Sequence, residues 1–175
     1  FGPVASICRA GTEDEAIGIA NDTRYGLSSA IFSRDSARAL RLAAVTGTQG
    51  KTTTTRLLEG ALTASGTPAA VIGTVGTRIR GRDVATGLTT PEAPDLHALF
   101  ALMVEEGVSA CAMEVSSHAL VMGRVDGVRF DVAVFLNLGR DHLDFHGDME
   151  EYFRAKALLF DGRAAVEVVD VDDEH

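Results

Sequence analysis

The sequence predicts an α/β fold in which helices flank a mostly parallel sheet. Strand-like and helix-like segments alternate from Ala43 to the C-terminus, which is typical of βαβ units with right-handed crossovers. The loop Gly47-Thr48-Gln49-Gly50 joins a short apolar run to a helical pattern that begins at Lys51. A hydrophobic content of 46% is sufficient for a packed core and excludes global disorder.

The composition of the chain disfavours binding to nucleic acids and to membranes. A net charge of −9 disfavours general nucleic-acid binding, which requires a basic face, but leaves local nucleotide binding open. No apolar run approaches the length of a membrane span, so neither a membrane anchor nor a signal peptide is expected. Cys8 and Cys111 lie far apart in apolar runs, which predicts two reduced, buried thiols in a cytoplasmic protein.

Residues 1–42 are predicted to form a separate short α/β fragment. Strands are expected at residues 4–8 and 25–32, and helices after Thr12 and from Asp35 to Leu42. Because no linker precedes Ala43, where a second unit (43–175) is predicted, the join indicates a composite chain. The fragment resembles a piece of the aldehyde dehydrogenase superfamily in the runs Phe1-Gly2-Pro3-Val4, Glu15-Ala16-Ile17, Ala20-Asn21-Asp22-Thr23 and Tyr25-Gly26-Leu27-Ser28.

The glycine loop and the residues after it are predicted to bind phosphate. Gly47 and Gly50 permit close backbone approaches, and the following helix directs its N-terminal N–H groups at the same point. Lys51 can place its charge on the outer phosphates, and a hydroxyl of Thr52 or Thr53 can hold Mg²⁺. The alternative is an ordinary glycine turn before a helix, which the pattern Gly-x-x-Gly-Lys-Thr-Thr makes less favoured.

Between residues 51 and 107 the pattern predicts a helix, a strand, a hairpin and a second helix. The first helix covers residues 51–64, the strand 69–75 and the exposed hairpin 77–84. Thr90 is expected to cap the second helix, with Pro91 at its first position and Gly107 at its end. Thr89 and Thr90 have a further interpretation, in which they grip a carboxylate or phosphate of a substrate.

Two later strands, at residues 110–115 and 130–136, end in polar residues. Glu114 lies at the end of the first, and because ligands collect at the carboxyl ends of parallel strands beside such a loop, it is a predicted Mg²⁺ ligand, the alternative being a solvated carboxylate. His142, just after the second, is a predicted further Mg²⁺ ligand, the alternative being a helix cap in a polar turn. Asp148 is expected to cap the last helix with Glu151, Lys156 to extend to solvent, and residues 165–171 to form a strand.

Four motifs after Val45 resemble the central ATPase domain of the Mur ligases. They are Gly47-Thr48-Gln49-Gly50-Lys51-Thr52, Thr89-Thr90-Pro91-Glu92-Ala93-Pro94, Met113-Glu114-Val115-Ser116-Ser117-His118-Ala119-Leu120 with Arg124, and Asn137-Leu138 followed by Arg140-Asp141-His142-Leu143-Asp144-Phe145-His146. The second and third are similar to the MurE type, which adds the third amino acid to UDP-N-acetylmuramoyl-L-alanyl-D-glutamate. The resemblance implies a P-loop α/β fold and an ATP- and Mg²⁺-dependent amide ligation through an acyl phosphate, in peptidoglycan precursor synthesis.

The resemblance also implies roles for individual residues. The implied catalytic residues are Lys51, Glu114, His142 and Lys156. The implied ATP-binding residues are Gly47, Thr48, Gln49, Gly50, Lys51, Thr52, Thr53 and Asn137. The UDP-MurNAc-dipeptide would be bound by Thr89, Thr90, Ser116 and Arg124, and an amino acid would be the second substrate. Mg²⁺ would be held by Thr52, Glu114, His142 and, once carbamylated, Lys156.

The first and last domains of that family have no counterpart in the sequence. The chain is therefore expected to bind ATP weakly without being a competent ligase, and its residues specify neither the amino acid added nor an oligomeric state. Two alternatives stay open: an oxidoreductase fragment derived from an aldehyde dehydrogenase, and a nucleotide-binding module without catalysis. The first is disfavoured because the nucleophilic cysteine and dinucleotide-binding fold of aldehyde dehydrogenases have no counterpart here.

Overall fold

The computed structural model describes residues 11–12, 40–141 and 143–170, and for residues 143 and 144 the backbone alone. The chain divides into two units, Phe1–Ala37 and Arg38–His175, and the described strands and helices belong to the second. The strands and helices predicted before residue 40 lie outside the described residues, as does His142.

The second unit is built on a seven-stranded, mostly parallel sheet. Its strands are β1 (Arg41–Thr46), β2 (Ala69–Ile72), β3 (Thr77–Ile79), β4 (Arg82–Val84), β5 (Ala110–Glu114), β6 (Phe130–Phe135) and β7 (Ala164–Val169). They lie in the order β4-β3-β2-β5-β1-β6-β7. Strands β2, β5, β1, β6 and β7 are parallel, whereas β3 and β4 form an antiparallel hairpin at one edge. The predicted α/β fold with a mostly parallel sheet is confirmed.

The centre of the sheet consists of small and medium apolar residues. Ala44 and Val45 in β1, and Ala112 and Met113 in β5, have no exposed surface. Such continuous apolar runs are typical of parallel strands that are covered on both faces. At the edge, β7 is exposed along most of its length, so the packed part of the sheet is its middle, where the strands that lead to the site lie.

The described helices are α1 (Lys51–Ala64), α2 (Ala93–Glu105), α3 (Ser117–Val121), α4 (Leu143–His146) and α5 (Met149–Ala157), and a 3₁₀ turn follows at Leu158–Phe160. As predicted, α1 begins directly after the glycine loop, and it packs against β2 and β5. The predicted cap of α5 is confirmed, because Asp148 Oδ1 accepts a 2.7 Å hydrogen bond from the Glu151 N–H. None of the described helices is long and apolar enough to cross a membrane.

The helix predicted to end at Leu42 is wrong at its last two residues, which already belong to β1. The Arg41 N–H donates to the Ser109 carbonyl at 3.1 Å, and the Leu42 N–H donates to Asp131 Oδ2 at 2.7 Å. These bonds to neighbouring segments are available only to an extended chain, and Leu42 is buried in the core. Tertiary pairing therefore overrides the helical spacing of the apolar residues.

The predicted start of α2 is also wrong. The helix begins at Ala93 with Glu92 at its N-cap, so Thr90 precedes it and does not cap it. The Thr90 hydroxyl instead donates to the Glu114 carbonyl at 2.8 Å and accepts from the Ser116 N–H at 3.1 Å. Because the side chain is buried, those two bonds satisfy a hydroxyl that would otherwise be costly to desolvate. Thr90 thus ties its own loop to the end of β5.

Candidate functional site

Four adjacent strands deliver polar residues to one edge of the sheet. Since β2, β5, β1 and β6 run parallel, their carboxyl ends meet at this edge. Thr74 follows β2, Glu114 ends β5, the loop of residues 47–50 follows β1, and Asn137 follows β6. Glu114 is in register with Val45, two residues before the loop. The sheet therefore places the loop between a carboxylate and an amide side chain.

The loop requires glycine at both of its ends. Gly47 has φ 140° and Gly50 has φ 84°, backbone conformations that residues with a Cβ rarely adopt. A Cβ on Gly47 would lie 3.0 Å from Leu136 Cβ and 3.2 Å from the Asn137 nitrogen. The close approach to the end of β6 is therefore a second reason for glycine at position 47.

Asn137 fixes the conformation of the loop. Its Oδ1 accepts hydrogen bonds from the N–H groups of Thr48 at 3.2 Å and Gln49 at 2.9 Å. Its Nδ2 donates to the Gln49 carbonyl at 3.1 Å, and its own carbonyl accepts from the Thr48 N–H at 3.0 Å. Asn137, for which the resemblance implies ATP binding, thus holds the loop against β6, and its contact with ATP stays a prediction.

The N-terminus of α1 is suited to an anion. The N–H of Thr54 donates to the Gly50 carbonyl, so the N–H groups of residues 51–53 precede the first hydrogen bond of the helix. Gly50 is the N-cap and offers no side-chain acceptor, and the first turn contains no acidic residue. The positive end of the helix dipole therefore lies where Thr52 and Thr53 also carry their hydroxyl groups.

The sequence contains two lysines, and both contact the loop. Lys51 Nζ donates to the carbonyls of Gly47 and Thr48, each at 2.9 Å. Lys156 Nζ donates to the same Gly47 carbonyl at 2.8 Å. Burial lowers the pKa of Lys51, and the negative charges of Glu114 and Asp141 oppose that shift. Two amines from distant parts of the chain thus converge on one carbonyl oxygen.

Lys156 is buried, so the expectation that it extends to solvent is wrong. Its side chain belongs to a residue that is 1% exposed, because α5 packs against α3, and its Nζ lies 4.4 Å from the centroid of the Tyr152 ring. Burial and the neighbouring charge of Lys51 lower the pKa of Lys156 to about 7, while Asp141 opposes the shift. At neutral pH a substantial part of the Lys156 amine is therefore uncharged and nucleophilic.

Glu114 is a buried carboxylate with a fixed orientation. Its Oε1 accepts a 2.9 Å hydrogen bond from the Thr74 N–H, and its Oε2 accepts a 3.1 Å hydrogen bond from the Thr74 hydroxyl. That hydroxyl also lies 3.0 Å from the hydroxyl of Thr89. A Cβ at Gly73 would overlap the carboxylate, so the segment after β2 must carry glycine there. The carboxylate is thereby coupled to the loop that contains Thr89.

One cavity of about 460 Å³ is lined by six of the predicted site residues, namely Lys51, Thr89, Thr90, Ser116, Arg124 and Lys156. Arg124 donates to the Thr90 carbonyl at 3.3 Å and pairs with Glu92 at 2.7 Å. Its Nε is buried and has no hydrogen-bond partner among the described residues. The structure therefore brings the predicted phosphate-binding lysine and the predicted acceptor-binding residues to one cavity.

The metal-binding prediction is only partly covered by the described residues. Among them, no group of three or more His, Cys, Asp or Glu side chains could hold a metal ion. Glu114 and Thr52 supply hard oxygen atoms, the kind of ligand that Mg²⁺ prefers, and Mg²⁺ commonly completes its shell with waters and phosphate oxygens. These two residues thus carry oxygen atoms of the type that Mg²⁺ accepts. His142 lies outside the described residues.

Thr74 and Tyr152 belong to the site although the sequence did not identify them. Thr74 holds Glu114, and its position directly after a buried strand, in Gly73-Thr74, was the available signal. The Tyr152 hydroxyl donates to Thr48 Oγ1 at 3.3 Å. In the sequence Tyr152 is one apolar position of an amphipathic helix, and nothing in that pattern distinguishes a core tyrosine from one that contacts the loop.

Comparison with known proteins gives matches over most of the chain. The model of the Mur ligase middle domain family matches residues 45–175. A UDP-N-acetylmuramoyl-L-alanyl-D-glutamate–2,6-diaminopimelate ligase of Corynebacterium efficiens is 52% identical over 164 residues, which are 91% of this chain and 30% of that protein. The chain therefore spans about a third of the length of this relative.

Two solved structures have a similar fold. The structure of a UDP-N-acetylmuramoyl-L-alanyl-D-glutamate–2,6-diaminopimelate ligase superposes with a TM-score of 0.68 at 37% identity, covering 78% of this chain and 28% of that one. A bifunctional folylpolyglutamate synthase/dihydrofolate synthase with Mn, AMPPNP and L-glutamate bound has a TM-score of 0.56 at 25% identity, covering 78% of this chain and 39% of that one.

The match to a known ligase extends into the first 42 residues, for which the sequence led us to expect a resemblance to aldehyde dehydrogenases. Residues 43–175 are about three quarters of the chain, whereas the match to the Corynebacterium efficiens ligase covers 91% of it. That match therefore extends into the segment for which an aldehyde dehydrogenase fragment is expected. None of the matches given above supports the dehydrogenase resemblance.

Proposed function

The chain belongs to the Mur ligase family, and we propose that it forms the nucleotide-binding part of an ATP-dependent ligase that adds the third amino acid to UDP-N-acetylmuramoyl-L-alanyl-D-glutamate. In such a reaction a substrate carboxylate takes the terminal phosphoryl group of ATP, and an amine then displaces phosphate from the acyl phosphate. One observation carries the proposal: the two lysines that donate to the loop also line a cavity, together with hydroxyl groups and a guanidinium.

The phosphates of ATP are assigned to the loop and to the first turn of α1. Asn137 holds the loop in one conformation, so little reorganisation is required when phosphate binds. Lys51 is the cation of this site, and its amine already lies within hydrogen-bond distance of the loop. Gly47, Thr48, Gln49, Gly50 and Thr53 complete the proposed ATP-binding set.

Mg²⁺ is assigned to the hydroxyl of Thr52 and the carboxylate of Glu114, with His142 as a further proposed ligand. When bound, the ion would neutralise charge on the phosphoryl oxygens. The two hydrogen bonds from Thr74 orient Glu114, which supports its role as a preorganised ligand. Lys156 is proposed to join this set after carbamylation, because an amine with a pKa of about 7 is available as a nucleophile toward CO₂ at neutral pH.

The acceptor is assigned to the far wall of the cavity, formed by Thr89, Thr90, Ser116 and Arg124. Arg124 lines the cavity, and its guanidinium is a donor to which an anionic substrate group can bind. Thr90 has both of its hydrogen bonds within the protein, so its role is to place Ser116 and Arg124. Peptidoglycan precursor synthesis in the cytoplasm is the process in which we place this reaction.

The proposal is tested by isothermal titration of the protein with ATP in the presence of Mg²⁺. Lys51→Ala is expected to weaken binding at least about tenfold, since a hydrogen bond to a charged group contributes about 1.5 to 3 kcal/mol. Arg154→Ala is the matched control, because it removes the same charge from an exposed position on α5. Equal ATP affinities for the wild type and Lys51→Ala would refute the phosphate assignment.

The acceptor assignment requires a separate titration. UDP-N-acetylmuramoyl-L-alanyl-D-glutamate is expected to bind the wild type and to bind Arg124→Ala more weakly, again with Arg154→Ala as the control. ATP binding that persists without any binding of the acceptor would favour a nucleotide-binding module over a ligase.

A further inference from the structure

We infer that His146 is a positioning residue, which through its bond to Ser117 and its packing on Tyr152 sets where Lys156 lies against the phosphate loop. The inference deepens the proposed function and relies on it only for the ATP measurement described below. Neither His146 nor Ser117 is among the residues assigned so far to ATP, Mg²⁺ or the acceptor.

His146 and Ser117 form a buried polar pair between distant parts of the chain. Each is 1% exposed, and His146 Nε2 lies 2.8 Å from Ser117 Oγ. Ser117 is the first residue of α3, directly after Ser116 and three residues after Glu114. His146 is the last residue of α4, which leads into α5. The bond therefore joins the turn after β5 to the segment that carries Tyr152 and Lys156.

Aromatic packing extends the pair toward Lys156. The ring centroids of His146 and Tyr152 are 5.1 Å apart, and the ring of Phe145 meets that of His146 at 85° with centroids 4.7 Å apart. Tyr152 lies between His146 and the site, since its ring is 4.4 Å from Lys156 Nζ and its hydroxyl donates to Thr48 Oγ1. A displacement of His146 would move the surface on which Lys156 rests.

The hydrogen bond between His146 and Ser117 holds α3 and α4 together because breaking it would cost free energy. Inside a protein a hydrogen bond is stronger than in water, and an unpaired buried polar group is expensive. Because both partners are almost fully buried, α3 and α4 cannot separate without exposing a donor or an acceptor to an apolar surrounding. The distance between Glu114 and Lys156, two of the proposed cation ligands, is thereby constrained from both ends.

The presence of only two lysines makes the position of Lys156 directly measurable. In protein labelled with [¹³C]lysine, the ε-methylene groups of Lys51 and Lys156 give two sets of NMR signals, assigned by Lys51→Arg and Lys156→Arg. The Tyr152 ring displaces the Lys156 signal upfield through its ring current, because Nζ lies over that ring. Spectra of all variants at one pH below the pKa of Lys156 compare proteins in which both lysine amines are protonated.

Three variants separate positioning from general stability. Ser117→Ala and His146→Phe each remove the hydrogen bond, and the second retains an aromatic ring. His146→Gln keeps a side-chain amide able to reach Ser117 and is expected to restore most of the wild-type signal. Should His146→Phe fail to fold, Ser117→Ala, which deletes a single oxygen atom, carries the test. Thermal unfolding of each variant reports the structural cost separately.

We expect the upfield displacement of Lys156 to shrink in Ser117→Ala and His146→Phe, while the Lys51 signal stays in place. The double variant Ser117→Ala/His146→Phe should change the Lys156 signal no more than Ser117→Ala or His146→Phe alone, because each of these proteins lacks the same hydrogen bond. An unchanged Lys156 signal, an equal movement of Lys51, or additive effects in the double variant would each overturn the inference.

ATP binding supplies the functional measurement. With Mg²⁺ present, Ser117→Ala is expected to weaken ATP binding about tenfold, whereas binding in EDTA, which depends on the loop and Lys51, stays at the wild-type value. Equal losses with and without Mg²⁺ would contradict a role at the cation ligands. If the wild type binds no ATP, the proposed function fails, and the lysine spectra alone decide whether His146 positions Lys156.

Discussion

Lys156→Met should remove the pH dependence that the buried lysine imposes on the free energy of unfolding. The pKa of Lys156 is about 7 in the folded protein and 10.5 for an ordinary lysine. Between these values the unfolded chain holds a proton that the folded protein has released, so the free energy of unfolding of the wild type rises with pH. The Met variant has nearly the same length of side chain without the amine, and therefore lacks this contribution.

The magnitude follows from the pH interval. Between about pH 7 and pH 9 the unfolded state binds one more proton at this position, and each pH unit contributes about 1.36 kcal/mol. The free energy of unfolding of the wild type, relative to that of the Met variant, should thus rise by about 3 kcal/mol between pH 6 and pH 9. At pH 6, where the buried amine is charged, Lys156→Met should be the more stable protein, because the cost of desolvating the ammonium is removed.

Urea unfolding followed by circular dichroism at pH 6 and pH 9 measures this difference. Arg154→Met is the control, since it removes a positive charge from a position of the same helix that is 75% exposed, and its effect should not vary between the two pH values. Groups shared by the wild type and the variant cancel in the comparison. The reasoning would be refuted if the free energies of unfolding of the wild type and Lys156→Met differed by the same amount at both pH values. A wild type that is more stable than Lys156→Met at the lower pH would refute it as well.

Three smaller changes test the supports of the site. Asn137→Ala removes three side-chain hydrogen bonds to the loop and should lower the free energy of unfolding by about 2 kcal/mol and ATP affinity about tenfold, measured by urea unfolding and calorimetry; retained ATP affinity would contradict the supporting role. Gly73→Ala should lower the thermal unfolding temperature because its Cβ displaces the Glu114 carboxylate, whereas Gly60→Ala, whose Cβ meets nothing within 4 Å, should be neutral or stabilising. Equal behaviour of these two alanine variants would contradict the overlap. Asp148→Ala should cost about 1 kcal/mol in thermal unfolding, and Asp148→Asn, which retains a cap, only a small part of it.

The fold, and the polar residues at the carboxyl ends of its strands, could be predicted because the local sequence pattern agrees with the tertiary structure in this part of the chain. Apolar runs ending in Glu114 and Asn137 predict parallel strands, and parallel strands bring their carboxyl ends together. The tight turn of the glycine loop between them could also be predicted from the sequence, since Gly47 and Gly50 adopt the positive φ values that the loop requires. For these residues, one-dimensional spacing carries most of the three-dimensional information.

What the sequence did not reveal depends on contacts between distant segments. Thr90 looks like a helix cap because a proline follows it, yet its hydroxyl bonds to the end of β5. Tyr152 occupies an apolar position of a helix, and only the three-dimensional structure shows that its hydroxyl donates to Thr48 in the glycine loop. Helical periodicity specifies which face of a helix is buried, but it does not specify which residue of another segment that face meets.

Lysine at position 156 can be buried because, unlike arginine, it can lose its proton. The chain has 16 basic residues other than histidine, of which two are lysines, and both lie at the loop. An arginine stays charged in a protein, so a buried arginine beside Lys51 would keep two positive charges next to each other. A lysine can give up its proton, and burial together with the neighbouring charge of Lys51 lowers the pKa of Lys156 to about 7. The second amine at the loop is therefore adjustable in charge, which is the property required of a group that we propose is carbamylated beside the proposed phosphate-binding cation Lys51.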